Sequence, residues 1–220
     1  MGTRNLVMVK NEKGEIKIAQ YGQWDGYPEG QGATILNFIK DKDNVEALKK
    51  NLDKCKFFNR CDDIKDFLEA YDKATPMWSN DPDNRTEEMK NWFHTLISRD
   101  VAGEILLHVA YLNLDMIPKA HNGFIYLRDE SDFGKDSLFC EWAYVVDLQT
   151  NKFMVFKGFN RDKSKEHELF ATVEEEVAKE FEGRDYRYYG CKFLKEYDLD
   201  NLPTEEDFIN DFKDADEEDE

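Results

Sequence analysis

The stretch FCEWAYVVDLQTNKFMVF, residues 139–156, decides the fold, because its side chains alternate with the period of a β-strand. One face carries Cys140, Trp142, Tyr144, Val146 and Leu148, and the other carries Phe139, Glu141, Ala143, Val145 and Asp147. Residues 149–152 then form a polar turn into the short apolar run of residues 153–156. The stretch is therefore predicted to be an antiparallel hairpin.

A second hairpin is predicted near the N-terminus. Residues 6–9 are apolar, residues 11–14 read NEKG, and residues 16–20 alternate with period two. Between the two hairpins, apolar residues recur mainly with helical spacing. Helices are predicted over residues 33–39, 44–54, 62–73, 89–97, 101–114 and 166–181, a loop over residues 75–85, strands over residues 124–127 and 186–197, and a short helix after Thr204.

These elements predict an α+β fold, with a mainly antiparallel sheet built from N-terminal and C-terminal-half hairpins and packed against a helical block. The sequence has no internal repeat and no long linker, so residues 1–204 are predicted to form a single domain. Residues 205–220 are predicted to be an acidic C-terminal tail, which begins with a short helix and is then disordered.

The chain is strongly acidic. Its 30 Lys and Arg residues against 48 Asp and Glu residues give a net charge of −18, and residues 205–220 contribute −9 through ten acids and Lys213. This balance disfavours nucleic acid and an anionic membrane as partners. An acidic tail can instead occupy a basic cleft on a protein partner, although solvated tails are more common.

Cysteine usage and hydropathy predict a cytoplasmic protein. The four cysteines, Cys55, Cys61, Cys140 and Cys191, form no CxxC pair and are typical of reduced thiols. The N-terminal residues do not match a signal peptide. Nowhere do about 18 apolar residues run together, which a membrane-spanning helix requires.

The loop GQWDGYPEGQG, residues 22–32, is the candidate ligand site, because glycines and aromatic residues concentrate there just before a predicted helix. Glycine lets the backbone approach a ligand closely, aromatic rings stack on flat groups, and a helix N-terminus can receive an anion. The spacing matches neither GxGxxG nor a GK[ST] ending, which favours binding over nucleotide hydrolysis. The predicted ligand-binding residues are Tyr21, Trp24, Asp25, Gly26, Tyr27, Glu29, Gly30 and Gly32.

The same loop has a simpler interpretation as a tight strand-to-helix turn with Trp24 and Tyr27 packed in the core. Asp25 and Glu29 are close enough in sequence for paired-carboxylate chemistry, but solvated loop carboxylates are the simpler interpretation. The sequence alone leaves both interpretations of the loop open.

Other chemistries have weaker support. The histidines, His94, His108, His121 and His167, have no HExxH spacing, and no acidic cluster resembles an EF-hand loop. Neither a metal site nor a cofactor is predicted. A nucleophile pair of Cys140 with His121 is less favoured than a buried, inert thiol, and His108 is predicted to be a core histidine.

Four segments carry a resemblance to known proteins: GTRNL (residues 2–6), QYGQWDGYPEGQG (residues 20–32), EWAYVVDLQTNKFMVFKG (residues 141–158) and KEYDLDNLP (residues 195–203). Together they resemble a family of small uncharacterised proteins found in bacteria and their phages. The resemblance covers most of the chain and implies a compact intracellular protein of phage or bacterial origin. It supplies no functional residue.

A weaker similarity concerns the order strand, turn, strand, loop and helix, with which N-terminal-nucleophile hydrolases also begin. Those enzymes use the amine of their own first Cys, Ser or Thr as the base. Here removal of Met1 exposes Gly2, which has no nucleophile, and Thr3 becomes terminal only after a second cleavage. The similarity is therefore an analogy of fold alone.

The sequence supports three hypotheses of function, in decreasing order of support. The leading hypothesis is a binding protein, with a small, nucleotide-like ligand or a partner's loop held at residues 22–32 and the following helix N-terminus. The second is a phage or mobile-element protein that inhibits a host factor through its acidic surface. The third is a hydrolase that uses Thr3 or the pair Asp25 and Glu29, and it ranks last because the sequence contains no catalytic motif.

Overall fold

The computed structural model describes residues 2–58, 100–112 and 123–215. Its strands are β1 (Asn5–Lys10), β2 (Ile16–Gly22), β3 (Cys55–Phe58), β4 (Ile125–Arg128), β5 (Trp142–Asp147), β6 (Lys152–Lys157) and β7 (Lys192–Asp198). Five of them form one sheet in the order β2-β1-β5-β6-β7, and β3 pairs with β4 separately. Neighbours in the five-stranded sheet are antiparallel except for β1 and β5. The predicted α+β fold with a mainly antiparallel sheet is confirmed.

The two predicted hairpins meet along their first strands. β1 runs parallel to β5, with Asn5 opposite Trp142 and Lys10 opposite Asp147. All residues of β5 are buried, because both faces of the sheet are covered at its centre. The parallel pairing places the N-terminal ends of β1 and β5 side by side at one edge of the fold.

The helices in the described ranges are α1 (Ala33–Lys40), α2 (Lys42–Leu52), α3 (Glu104–Ala110), α4 (Glu174–Glu180) and α5 (Glu205–Asn210). Local chemistry explains two of the helix starts. The Asp41 carboxylate accepts hydrogen bonds from the backbone N–H of Asp43 and of Asn44 at α2, and the Thr204 hydroxyl accepts one from Asp207 at α5. Among the described residues, no helix combines the length and the apolar character needed to cross a membrane.

The sheet separates two hydrophobic cores. On the face covered by α1, α2, α3 and α5, Tyr144 and Phe153 pack with Phe208 of α5 in the larger core. The smaller core on the opposite face contains Leu6, Met8, Cys140, Ala143, Val145, Met154, Phe156, Phe170 and Cys191. The predicted alternation holds within β5, but Cys140 joins the smaller core because the strand begins only at Trp142.

Two predicted helices are shorter in the structure. The helix predicted over residues 101–114 is α3, which starts after Ala102 because that residue adopts a positive φ of 47°. Leu107 on α3 is 52% exposed, so the helix is not buried on all sides. The helix predicted over residues 166–181 is shortened to α4. The residues before α4 instead include a 3-10 turn, which ends at Phe170 and anchors its ring in the smaller core.

Several predicted features lie outside the described residues. These are the helices over residues 62–73 and 89–97, the loop over residues 75–85, the last residues of the helix predicted to end at 114, Cys61, His94 and His121.

Two aromatic side chains anchor the acidic C-terminal segment to the fold. Phe208 and Phe212 are buried in the larger core, whereas Glu205, Glu206 and Asp207 are exposed. The short helix predicted at the start of this segment is confirmed as α5. Because α5 supplies core side chains, deletion of the segment would remove packing as well as negative charge.

A buried ion pair closes the turn between β5 and β6. The Lys10 ammonium lies 2.6 Å from the Asp147 carboxylate, which also accepts hydrogen bonds from the backbone N–H of Gln149 and of Thr150. Burial of Asp147 opposes its ionisation, but these hydrogen bonds outweigh burial and hold the pKa of Asp147 below its ordinary value. The ionised carboxylate therefore stabilises the fold.

We predict that Asp147→Asn lowers the free energy of unfolding at pH 7 by about 1–3 kcal/mol, the contribution of a hydrogen bond to a charged group. Because the folded-state pKa is depressed, this contribution is fully present above the unfolded value of about 3.9 and is lost as the pH falls through the folded value. Urea unfolding of the wild-type protein and of Asp147→Asn, at pH values from 7 to 3, measures this contribution at each pH.

The control is Asp53→Asn, whose partner Lys13 makes an exposed ion pair with it. That variant should change the unfolding free energy much less, because solvent screens the pair. An Asp147→Asn penalty that persists undiminished at pH 3 would contradict the assignment.

Candidate functional site

The glycine loop, residues 22–32, is held against the sheet at Gly26. The Gly26 N–H donates to the Thr3 carbonyl at 3.0 Å, and the Tyr144 hydroxyl donates to the Gly26 carbonyl at 2.8 Å. The Asn5 amide donates longer hydrogen bonds, to the carbonyl oxygens of Gly22 at 3.4 Å and of Trp24 at 3.5 Å. The loop is thus connected to the start of β1 and to β5.

Gly26 has no room for a side chain in this position. A Cβ there would lie 2.6 Å from the Thr3 carbonyl oxygen and 3.0 Å from the Asn5 Cβ. Gly30 likewise has no room for a side chain, because a Cβ at this position would lie 2.2 Å from the Asp25 carbonyl oxygen. These glycines serve close backbone packing within the protein.

The loop ends in a π-helical turn, Pro28–Gly32, that leads directly into α1. The Gln31 N–H donates to the Asp25 carbonyl at 2.8 Å, and the Gly32 N–H donates to the Tyr27 carbonyl at 3.2 Å. The Ala33 N–H also bonds within the turn. Because these N–H groups already have acceptors, this conformation does not offer them to an anion.

The aromatic residues of the loop lie outside the core. Trp24 is 60% exposed and Tyr27 is 43% exposed, so the interpretation of both rings as core residues is wrong. The Trp24 ring packs on the backbone of Gly2, since a Cβ at Gly2 would lie 2.3 Å from Trp24 Cε3. Tyr21 is half-buried on the face of the sheet that carries the smaller core, where its ring contacts Phe133.

A cleft of about 580 Å³ opens beside the loop, where β1 and β5 begin. We call it the N-terminal cleft. Its volume lies within the range of small-molecule sites, roughly 300–1,000 Å³. It is lined by Gly2, Thr3, Arg4, Gln23, Tyr27, Leu138, Phe139, Glu141, Trp142, Lys157 and Phe159.

Aromatic rings and one ammonium group dominate the cleft wall. Lys157 at the end of β6 is only 3% exposed, and its Nζ lies 4.5 Å from the centroid of the Trp142 ring and 5.8 Å from that of Phe159. Such distances fit cation–π attraction. Phe139 and Tyr27 are each close to half exposed and present ring surface to the cleft.

A second cation lies at the cleft, paired with a carboxylate. The Arg4 Nε lies 3.3 Å from Glu141 Oε1, and the Arg4 backbone N–H bonds the same oxygen at 3.2 Å. The Arg4 guanidinium also lies 5.0 Å from the centroid of the Phe139 ring. These contacts fix the position of Arg4 at one side of the cleft.

Backbone strain concentrates around this site. Among the described residues, the non-glycine residues with positive φ are Asp25 at 54°, Ala102 at 47°, Phe159 at 52° and Asn151 at 58°. Asn151 occupies the β5–β6 turn, where such a conformation is common. Asp25 belongs to the loop and Phe159 lines the cleft, and strained conformations of this kind, costing roughly 1–3 kcal/mol each, cluster at functional sites.

Buried polar atoms without partners lie on the helix-covered face at the same end of the sheet. Among the described residues, the Trp142 Nε1–H, the Asn5 Oδ1 and both polar atoms of the Gln20 amide have no hydrogen-bond partner. Asn5 lies opposite Trp142 on β5, and Gln20 lies opposite Val7 on β1. An unsatisfied buried polar group costs about 1–3 kcal/mol, so these atoms mark a place where the fold is not optimised for stability.

The predicted site residues divide into two groups. Tyr27 lines the N-terminal cleft, whereas Tyr21, Trp24, Asp25, Gly26, Glu29, Gly30 and Gly32 do not. Sequence reasoning named Thr3 only for the hydrolase hypothesis. It missed residues from two other parts of the chain, namely Gly2, Arg4, Leu138, Phe139, Glu141, Trp142, Lys157 and Phe159. Most of them fall in residues 2–6 and 141–158, and no sequence motif there indicated a site.

Thiol and imidazole chemistry receives no support from the described residues. Burial raises the pKa of Cys55 to about 12 and holds the pKa of Cys140 well above its ordinary value, so both thiols stay protonated near neutral pH. Burial lowers the pKa of the half-buried His108. Within the described ranges, no group of three or more His, Cys, Asp or Glu residues is placed to hold a metal ion.

Comparison of the chain with protein-family models, with curated proteins and with solved structures found no match.

We predict that Tyr144→Phe loosens the glycine loop. The variant keeps the ring but leaves the Gly26 carbonyl without the hydroxyl donor, which should lower the free energy of unfolding by about 1–2 kcal/mol. Amide hydrogen exchange at Gly26 should also accelerate, because the loop is released from β5. The control is Tyr111→Phe, which removes an exposed hydroxyl that bonds Asn44. Unchanged exchange at Gly26 would contradict the role assigned to Tyr144.

Proposed function

We propose that this protein binds a small molecule in the N-terminal cleft. The observation that carries the proposal is the convergence of several aromatic rings and the Lys157 ammonium on one cleft of about 580 Å³. The glycine loop contributes to this site through Gln23 and Tyr27 and closes one side of it. The ligand is nucleotide-like in size, with a flat ring, and the protein acts in the cytoplasm.

Two further observations favour ligand binding over a purely structural role for the cleft. Rings of Tyr27 and Phe139 are left about half exposed at its mouth, although burial of such rings would stabilise the fold. The positive φ of Phe159 maintains a strained backbone in the cleft wall. Binding energy from a stacked ligand offsets both costs.

We predict that Tyr27→Ala weakens ligand binding by about fivefold, because it removes one stacking surface. Ligand-observed NMR with a library of fragment-sized aromatic compounds identifies binders of the wild-type protein, and calorimetry then compares their affinities for the variants. The matched control is Tyr186→Ala, because Tyr186 is also 43% exposed but lies outside the cleft. Binders whose affinity is unaffected by Tyr27→Ala, or an absence of binders, would contradict the proposal.

A second candidate is a hydrolase that uses Thr3 as an N-terminal nucleophile. It is favoured by one observation, that Thr3 lines the cleft at the start of β1 and is largely buried there. The chemistry requires Thr3 to be the first residue, so that its own amine can act as the base.

Intact-mass measurement of the protein purified from cells separates the two candidates. The binding proposal predicts a mature chain that begins at Met1 or Gly2. A wild-type chain that begins at Thr3 would instead support self-processing and the hydrolase, provided that the Thr3→Val variant does not produce this shortened chain.

A further inference from the structure

We infer that the ligand of the N-terminal cleft is an aromatic molecule that accepts a hydrogen bond from the indole N–H of Trp142. The inference rests on the proposed function and adds the chemical class of the ligand. That class comprises flat rings with a lone pair at the ring edge, on a ring nitrogen or on a ring carbonyl. Trp142 then selects the ligand by its acceptor, while the exposed rings of the cleft contact its flat surface.

The Trp142 indole is buried without an acceptor. Its side chain is fully buried, and its Nε1–H has no hydrogen-bond partner among the residues that the structure describes. This N–H is the one polar group of a tryptophan side chain, and it is only a donor. A buried tryptophan usually finds an acceptor for it, because an unsatisfied buried donor destabilises the fold. An acceptor that arrives with a ligand removes this penalty.

The side chains packed on the indole do not supply the acceptor. The Tyr144 ring lies nearly parallel to the Trp142 ring, at 5° and 6.4 Å between centroids, and the Phe212 ring meets it edge-on at 6.1 Å. Lys157 Nζ lies over the ring at 4.5 Å, and an ammonium group is a donor only. These contacts pack the indole but leave its N–H unsatisfied.

Asn5, directly opposite Trp142 on β1, carries an acceptor that is held elsewhere. The Asn5 amide nitrogen donates to the carbonyl oxygens of Gly22 at 3.4 Å and of Trp24 at 3.5 Å, which orients the amide toward the glycine loop. The Asn5 Oδ1 has no donor of its own in the described part of the chain. Turning this oxygen toward Trp142 would sacrifice the bonds to the loop, so the indole donor and the amide acceptor stay apart.

The N-terminal cleft is the side from which an acceptor can reach the indole, because Trp142 lines it. Tyr27 and Phe139 line the same cleft and are each about half exposed, so they offer ring surface to a flat molecule. An aromatic ligand without an acceptor would use these rings but leave the Trp142 N–H unsatisfied. An aromatic ligand with an acceptor at its edge uses both features.

Three uncharged probes of similar size test the inference. Quinoline and naphthalene share a two-ring frame, but only quinoline has a ring nitrogen that accepts a hydrogen bond, whereas indole has an N–H donor instead. NMR titration of the full chain in slightly alkaline buffer should give an affinity for quinoline about fivefold higher than for naphthalene or indole, the contribution of one neutral hydrogen bond. Without that bond quinoline should bind more weakly than naphthalene, because its nitrogen would lose water without compensation.

The indole N–H resonance of Trp142 reports the bond directly. Quinoline should move this proton further downfield than naphthalene does, because a hydrogen bond deshields the proton. The Trp142→Phe variant keeps an aromatic ring but has no N–H, so its affinity for quinoline should fall by about fivefold, to that of naphthalene. The control is Trp24→Phe, which removes an exposed indole that does not line the cleft and should leave both affinities unchanged.

The outcomes separate the inference from the proposed function. If the wild-type protein binds naphthalene or indole at least as tightly as quinoline, the acceptor inference is overturned and small-molecule binding stays intact. A protein that binds none of the three probes contradicts both. If Trp142→Phe does not fold, the order of the three affinities for the wild-type protein decides the inference without it.

Discussion

The hydrogen bonds on either side of Gly26 are the constraint on which the site depends. They join the glycine loop to Thr3 before β1 and to Tyr144 within β5, the two strands that pair in parallel at the centre of the sheet. Because a Cβ at Gly26 would collide with the Thr3 carbonyl oxygen, only glycine permits this approach. Through these bonds the loop is placed beside the N-terminal ends of both strands.

The position of the cleft follows from that arrangement. Arg4 immediately precedes β1, Trp142 begins β5, and Lys157 ends β6, the antiparallel neighbour of β5. The antiparallel register places Lys157 directly opposite Trp142, which explains why the ammonium lies on the indole ring. The loop then adds Tyr27 from the remaining side. A site built on strand ends in this way is held by the sheet rather than by flexible segments.

The sequence predicted the fold class because alternation within residues 139–156 and around the first turn is strong and local. It did not predict the parallel pairing of β1 with β5, because pairing between distant strands leaves no periodic signal in either. For the same reason the loop was identified as the candidate site while Lys157 was not. The late start of α3 depends on the positive φ of Ala102, which its residue type does not favour.

The central claim is that a ligand occupies the N-terminal cleft and meets Trp142 there. The most direct measurement is the indole N–H resonance of Trp142 in two-dimensional ¹⁵N NMR spectra as an aromatic fragment that binds the wild-type protein is added. A fragment bound in the cleft should shift this resonance together with the backbone amides of Arg4 and Tyr27, and the shifts should saturate with a single affinity. If these resonances stay unchanged, or the shifts fall on another surface, the account is contradicted.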